Sequence, residues 1–206
     1  MSISYFLKGE FSPQDSVAGS ITTAAAIRHT LLALISTPTA YTTLQKEIDK
    51  RVASGLISTP TITDSEAQSF PYLQAVIREG LRMWPPTTGL GSKQVPQGGD
   101  TICGFYVPAG TQVAINFSGV MRLKTVWGED ADVFRPERWL EAEEEGEERI
   151  KFLNHVVDLD FGSGKYQCLG KRIAFMELNK VFVEVGAFAF LCSPEFSSIS
   201  DPFANC

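Results

Sequence analysis

Cysteine is scarce in this sequence, and the four residues present (Cys103, Cys168, Cys192 and Cys206) form no Cys-x-x-Cys pair. This absence argues against a zinc module and against a disulfide-stapled secreted scaffold, and it fits a reducing compartment. Lysine and arginine form no basic stripe, and the formal net charge is −6. We therefore expect no nucleic-acid partner.

No signal peptide or membrane-spanning segment is predicted. The N-terminal segment MSISYFLKGEFSPQDS has neither a basic n-region nor an apolar h-region. The longest apolar run, from Val181 to Cys192, is interrupted by Glu184 and is shorter than the roughly 20 residues that cross a bilayer. The apolar fraction of 44% is that of an ordinary globular domain. We expect a soluble intracellular chain without an anchor.

Helix signals dominate the sequence. Ser12, Pro13 and Asp15 have the pattern of a helix start, and apolar residues at helical spacing continue from there to about Ser36. Proline and glycine then delimit further helices, which are predicted over residues 40–54, 64–68, 71–84 and 171–191. The fold class is predicted to be mainly α with a small β portion.

The β portion is predicted in the glycine- and proline-rich middle of the chain. Residues alternate in character over 101–106 and 112–117, and Pro108-Ala109-Gly110 separates the two stretches. This pattern predicts a β-hairpin. The acidic run 141–148 is predicted to be a solvated loop or helix face.

The most specific feature is the loop from Phe161 to Gly170, with the sequence FGSGKYQCLG. A cysteine that ligates haem iron needs a loop that can lie flat against the porphyrin, and Gly162 and Gly164 permit this. A helix beginning just after Cys168 offers free N–H groups and a favourable dipole to a thiolate. Gly170 allows that helix to pack closely, and Phe161 is expected to shield the sulfur from water.

The alternative interpretation of Cys168 is a buried structural cysteine beside an ordinary glycine turn. Four positions of the loop nevertheless fit one spacing. With glycine at about 7% of residues, a chance match in a chain of this length is on the order of one in a thousand. We therefore favour Cys168 as the axial ligand of a haem iron.

The loop resembles the haem-binding signature of cytochrome P450s, Phe-x-x-Gly-x-x-x-Cys-x-Gly, and Ala174 and Glu177 match family positions in the following helix. P450s usually carry Arg or His two residues before the cysteine, in contact with a haem propionate. Tyr166 occupies that position, in a run similar to that of fungal P450s such as pisatin demethylase. The resemblance implies haem b (iron protoporphyrin IX), bound by Phe161, Gly162, Gly164, Tyr166, Cys168 and Gly170.

A second set of residues resembles the structural core of the same family. Glu79 and Arg82, three residues apart on a predicted helix, would by themselves be typical of a weak surface ion pair. The segment FRPERW, which ends at Trp139, matches the P450 Pro-Glu-Arg segment. The resemblance implies that Arg138 joins Glu79 and Arg82 in a buried charge network with a structural role.

Two further positions match less closely. The stretch AGSITT from Ala18 resembles the oxygen-activation motif of the family, which implies a catalytic, proton-delivering role for Thr22. Ile21 occupies the position where an acid is usual, and its side chain cannot relay a proton. Lys93 stands where many P450s place a cation against a haem propionate. The alternative for Lys93 is an exposed lysine at the start of a strand.

The resemblance covers about residues 10–190 and implies a single partial P450 domain over 1–206, the C-terminal half of the fold, with an atypical tail at 191–206. It implies a haem-thiolate monooxygenase that inserts one oxygen atom from O2 into a small lipophilic substrate, in fungal secondary metabolism or detoxification. The expected electron donor is NADPH-cytochrome P450 reductase, and full-length relatives are expected at the endoplasmic reticulum membrane. Two alternatives stay open: an inactive remnant unable to bind haem, and a peroxide-driven or isomerising enzyme, which Ile21 favours.

Overall fold

Helices form most of the part of the chain that the structure describes. The computed structural model describes residues 13–55, 57–58 and 60–191, with only the backbone for 13–17 and 187–191. Ser12, the predicted helix cap, and nearly all of the predicted tail lie outside the described residues. The helices are α1 (Pro13–Ser36), α2 (Pro38–Ala53), α3 (Asp64–Gln68), α4 (Pro71–Met83), α5 (Phe117–Val120), α6 (Lys124–Trp127), α7 (Glu137–Glu145), α8 (Glu147–Asp158) and α9 (Lys171–Leu191).

Helix α4 is the centre of the fold, because it packs against α1, α2, α3, α7, α8 and α9. Pro71 occupies its first turn, where no backbone N–H is needed, and Pro85-Pro86 follows its end. Glu47 of α2 caps it, since the backbone N–H groups of Tyr72 and Leu73 each donate to this carboxylate at 3.0 Å. The residues of α4 that lie nearly out of solvent include Glu79 and Arg82 as well as apolar side chains.

A close contact sets the distance between α1 and α4. A Cβ added at Gly80 would lie 2.0 Å from Oγ1 of Thr30, so glycine is the residue that lets the two helices meet here. Thr30 is 1% exposed, and its hydroxyl has no hydrogen-bond partner among the described residues. The contact holds the helix that carries Thr22 against the helix that carries Glu79.

Four short strands form two separate antiparallel pairs. Strand β1 (Leu90–Gln94) pairs with β4 (Gln112–Asn116), and β2 (Asp100–Ile102) pairs with β3 (Phe105–Val107). The predicted hairpin between 101–106 and 112–117 is therefore wrong. Cys103 (φ 51°) and Gly104 (φ 83°) reverse the chain inside the first of those stretches, as both central residues of a tight hairpin turn do.

The fold class is confirmed as mainly α with a small β portion. The predicted helices are also present: the helices at 38–53, 64–68 and 71–83 agree with the predicted bounds to within two residues. Thr63 and Glu66 form a capping box that starts α3. The acidic run lies on the exposed parts of α7 and α8, in agreement with a solvated helix face.

One helix bears on the expectation that no segment spans a membrane. The part of α1 from Ala18 to Ser36 is long and apolar enough to cross a bilayer, and 28% of it is buried in the fold. A core helix of a soluble protein or a signal sequence also meets this criterion of length and apolar composition. The expectation of a soluble chain is therefore not confirmed.

Candidate cofactor site

The cysteine loop connects α8 to α9 and presents an exposed thiol. Its chain passes through two 3₁₀ turns (Leu159–Phe161 and Gly164–Tyr166) before it reaches Cys168. The backbone N–H of Cys168 donates to the carbonyl oxygen of Phe161 at 2.7 Å, and this bond closes the loop. Cys168 is exposed and free of any disulfide, and α9 begins at Lys171, three residues later.

Two glycines of the loop adopt backbone conformations that other residues avoid. The φ angle is +69° at Gly162 and +61° at Gly164. A Cβ at Gly162 would also lie 2.9 Å from the carbonyl oxygen of Tyr166. At Gly170 a Cβ would meet, among the described atoms, the sulfur of Cys168 at 3.9 Å, an ordinary contact distance. Among the described residues, nothing packs closely enough against position 170 to require glycine there, so the predicted close packing of the helix is not seen.

The structure brings Lys93 and Tyr166 together. Lys93 lies on β1, and its Nζ is 5.8 Å from the centroid of the Tyr166 ring. Lys165 lies over the same ring at 5.2 Å. The residue is 70% exposed, so two ammonium groups lie near one solvent-facing phenol ring beside the cysteine loop. Such a group of donors and cations suits a carboxylate.

Phe161 lies at the start of the loop, and its ring packs against α9. Its ring contacts that of Phe175 on α9, with centroids 5.6 Å apart, and Nζ of Lys171 lies 5.4 Å from its centroid. The predicted shielding of the sulfur is not seen, because the ring is held in this aromatic pair while Cys168 stays exposed.

The carboxylate of Glu79 is buried and fully bonded. Arg82 donates to both of its oxygens, at 2.9 Å from Nε and 2.8 Å from Nη2, and Arg138 donates from Nε at 3.0 Å. The backbone N–H of Arg135 and the indole Nε1 of Trp139 complete the shell at 2.9 and 3.0 Å. Glu79 and Arg82 are both 0% exposed, and Arg138 is 5% exposed. A buried charge is tolerated only with pairing of this kind.

The two arginines also fix a segment that has little regular structure. Arg82 donates to the carbonyl oxygens of Met121, Ala131 and Val133, and its guanidinium lies over the Trp127 ring at 5.1 Å. Arg138 donates to carbonyl oxygens of the same segment and to the carboxylate of Asp130, at 3.2 Å. The roles of Asp130 and of the Trp139 indole were not predicted from the sequence, although Trp139 belongs to the FRPERW segment.

Thr22 lies on the exposed part of α1, and its hydroxyl bonds within its own helix. Oγ1 donates to the carbonyl oxygen of Ala18 at 2.8 Å, a bond common for threonine in helices. The neighbouring Ile21 is 59% exposed. The structure therefore shows an apolar side chain and a hydroxyl side by side on the outward face of α1.

Asp160 is a further residue that the sequence patterns did not predict. It directly precedes Phe161, and burial raises its pKa to about 6 against an opposing effect of Thr87 hydrogen bonding. Its Oδ1 is buried without a hydrogen-bond partner among the described residues. No local sequence pattern marks this aspartate, since its burial follows from the packing of the loop against the segment after α4.

The cytochrome P450 family model matches residues 16–191, most of the chain. This chain belongs to the cytochrome P450 family. A P450 monooxygenase of Pyricularia oryzae named ABA1 is 50% identical over 169 residues, which are 82% of this chain and 32% of that protein. Pisatin demethylase of Fusarium vanettenii is 39% identical over 168 residues, 82% of this chain and 30% of that protein.

A solved structure supports the same fold. The haem domain of a cytochrome P450DA mutant superimposes with a TM-score of 0.65 and 21% sequence identity, covering 81% of this P450 chain and 35% of that domain. The chain thus spans about a third of the length of the curated relatives it matches. The described residues form a corresponding part of the P450 fold.

The residues present fit a haem group by their chemistry. Haem has an apolar face, an iron that accepts a thiolate, and two carboxylates. The loop offers the exposed thiol of Cys168 beside Leu169, an apolar side chain that is 71% exposed. Lys93 and Tyr166 offer a cation and a hydroxyl for a carboxylate.

Proposed function

We propose that this P450 chain provides the thiolate ligand of a haem-thiolate monooxygenase, with Cys168 as the axial ligand of haem b. The observation that carries the proposal is the exposed, unpaired thiol just before α9, on a loop closed by the Cys168–Phe161 backbone bond. The family match over residues 16–191 supports the same reaction class. The proposed reaction inserts one oxygen atom from O2 into a small lipophilic substrate.

Different residues of the chain would bind different parts of the cofactor. Cys168 would bind iron as the thiolate, which the free N–H groups at the start of α9 stabilise. Lys93 and Tyr166 would receive a propionate in place of the usual Arg or His. Bound haem supplies the oxidative chemistry, and a thiolate ligand donates electron density to the iron.

Proton delivery and electron supply complete the proposed function. We assign Thr22 a catalytic role in proton delivery, in which its hydroxyl carries the proton. In the structure this hydroxyl donates to the Ala18 carbonyl oxygen. Electrons would come from NADPH-cytochrome P450 reductase at a membrane surface. The fungal origin of the monooxygenases matched supports a role in fungal secondary metabolism or detoxification.

A haem titration tests the ligand. The chain is expressed, supplied with hemin and reduced under carbon monoxide, and the difference spectrum is recorded. We expect a Soret band at the red-shifted thiolate position, lost in Cys168→Ser. Cys103→Ser is the matched control, because Cys103 is also exposed and free but lies at the β2–β3 turn. Equal spectra for both variants would refute the assignment. No haem uptake by the unsubstituted chain would favour the inactive remnant.

Ile21 favours a second candidate function, a peroxide-driven or isomerising P450-like enzyme. An exposed isoleucine beside Thr22 cannot relay protons to dioxygen. A reaction that does not activate dioxygen would not require the acidic residue that is usual at position 21. The two candidates differ in the co-reactants that they need. Product formation with hydrogen peroxide alone, or with neither peroxide nor reductase as an isomerisation requires, would select the second. Product formation only with reductase, NADPH and O2 would select the monooxygenase.

A further inference from the structure

One side chain bridges the two ends of the cysteine loop. Lys171, the first residue of α9, places its Nζ 2.8 Å from Oδ2 of Asp158, the last residue of α8. The same ammonium lies over the rings of Phe161 at 5.4 Å and Phe175 at 6.0 Å. Lys171 directly follows the loop from Phe161 to Gly170 and contacts the residues at the start of the loop. One lysine therefore connects the two ends of the loop.

The location of Lys171 is unfavourable by helix electrostatics alone. A cation in the first turn of a helix faces the positive end of the helix dipole. The Asp158 carboxylate and the two aromatic faces offset that cost, and the Lys171 side chain is only 25% exposed. The Lys171 ammonium is thus stabilised mainly by the Asp158 carboxylate and the two rings rather than by hydration.

Arg78 connects the same cluster to the central helix. Its Nη1 lies 3.5 Å from Oδ1 of Asp158, and its guanidinium lies over the Phe175 ring at 5.1 Å. Arg78 directly precedes Glu79 on α4, so one carboxylate joins α4, α8 and α9. We call the five residues the loop clamp: Arg78, Asp158, Phe161, Lys171 and Phe175.

We propose that Lys171 is a positioning residue that keeps the cysteine loop closed and so holds Cys168 in place at the start of α9. The proposal rests on the proposed role of Cys168 as the haem ligand. The connection is the backbone bond from Cys168 N–H to the Phe161 carbonyl, 2.7 Å long. Lys171 stacks on the residue that accepts this bond. Loss of the ammonium leaves Phe161 its contact with Phe175 but removes its link to Asp158, and this weakens the backbone bond.

Amide exchange of the full chain without haem measures loop closure directly. Lys171→Met removes the charge at similar length, and Lys171→Arg keeps both the ion pair and the stacking. We expect Cys168 N–H to exchange about fivefold to tenfold faster in Lys171→Met, the combined effect of one partly buried ion pair and one cation–π contact. The reference amide is Gln167, whose bond to the Gly164 carbonyl lies inside the loop.

The control for this measurement is Lys165→Met. Lys165 also stacks on an aromatic ring of the loop, but its ring belongs to the adjacent Tyr166, so it cannot join the loop ends. We expect the ratio of the Cys168 to the Gln167 exchange rate to rise in Lys171→Met, to stay unchanged in Lys165→Met and to be restored in Lys171→Arg. An unchanged ratio in Lys171→Met would overturn the proposal.

A spectroscopic readout connects loop closure to the ligand. With hemin bound, the fraction of the reduced carbon monoxide complex that absorbs at the thiolate position should fall in Lys171→Met and recover in Lys171→Arg. Faster exchange with an unchanged thiolate fraction would overturn the positioning role. If the unsubstituted chain binds no haem, the proposed function fails on its own, and the exchange ratio still decides whether Lys171 closes the loop.

Discussion

Glu79→Gln tests the buried charge network by removing one charge and almost no volume. The Glu79 carboxylate accepts five hydrogen bonds, three on Oε1 and two on Oε2. Glutamine replaces one oxygen by an NH2 group, which would face donors such as the Trp139 indole. Arg82 and Arg138 would then lie buried without their shared counter-charge.

The magnitude follows from that uncompensated charge. Removing one partner of a buried ion pair costs about 3–5 kcal/mol. In a chain of this size, each kcal/mol lowers Tm by about 2–4 °C. We therefore expect Tm to fall by about 6–20 °C. Because carbonyl oxygens accept other donors of both guanidinium groups, the loss should stay near this range rather than exceed it.

Urea unfolding followed by tryptophan fluorescence and circular dichroism measures the effect. Glu143→Gln is the matched control, since Glu143 is an exposed glutamate on α7. Its unfolding midpoint should stay that of the unsubstituted chain. If the free energy of unfolding of Glu79→Gln lies within about 1 kcal/mol of that of the unsubstituted chain, the reasoning is refuted. The two arginines would not then depend on this carboxylate.

Three further substitutions test other parts of the structure. Trp139→Phe removes the indole bond to Glu79 and should lower the free energy of unfolding by about 1–2 kcal/mol in urea titrations; an unchanged value would show that the bond contributes nothing. Gly162→Ala should destabilise the chain more than Gly164→Ala, because both positions have positive φ but only a Cβ at 162 would also meet a backbone oxygen; equal unfolding midpoints would contradict this. Asp160 has a raised pKa of about 6, so its ionisation destabilises the native state and stability should fall as pH rises from about 4 to about 6. Asp160→Asn should remove that dependence and gain about 1 kcal/mol at pH 7, after allowance for solvent screening; an unchanged pH profile would show that the carboxyl is hydrated.

Part of the site follows from short-range chemistry and could be predicted from the sequence. The loop glycines, the helix that begins after Cys168 and the prolines that delimit α4 act over a few residues, so their spacing carries the information. Glu79 and Arg82 lie one helical turn apart, and their pairing is likewise local. Family resemblance was needed to add Arg138, which lies 59 residues from Glu79 along the chain.

Other features depended on which segments meet in space. Alternation marked two β stretches correctly as β but assigned the wrong partners, because register and pairing are decided by the turn at Cys103-Gly104 and by the approach of β1 to β4. The stacking of Lys93 on Tyr166 joins β1 to the cysteine loop across more than 70 residues. No local pattern could predict that contact.

The helices, the family and the expectation that Cys168 is the ligand could be predicted from the residues alone, since each depends on spacing within one segment. The tertiary structure alone decided how that thiol is held. The ammonium of Lys171 reaches Asp158 and Phe161 because α8 and α9 bring the two ends of the loop together. An ion pair or a cation–π contact acts over a few ångströms, so packing rather than spacing along the chain decides which residues form one.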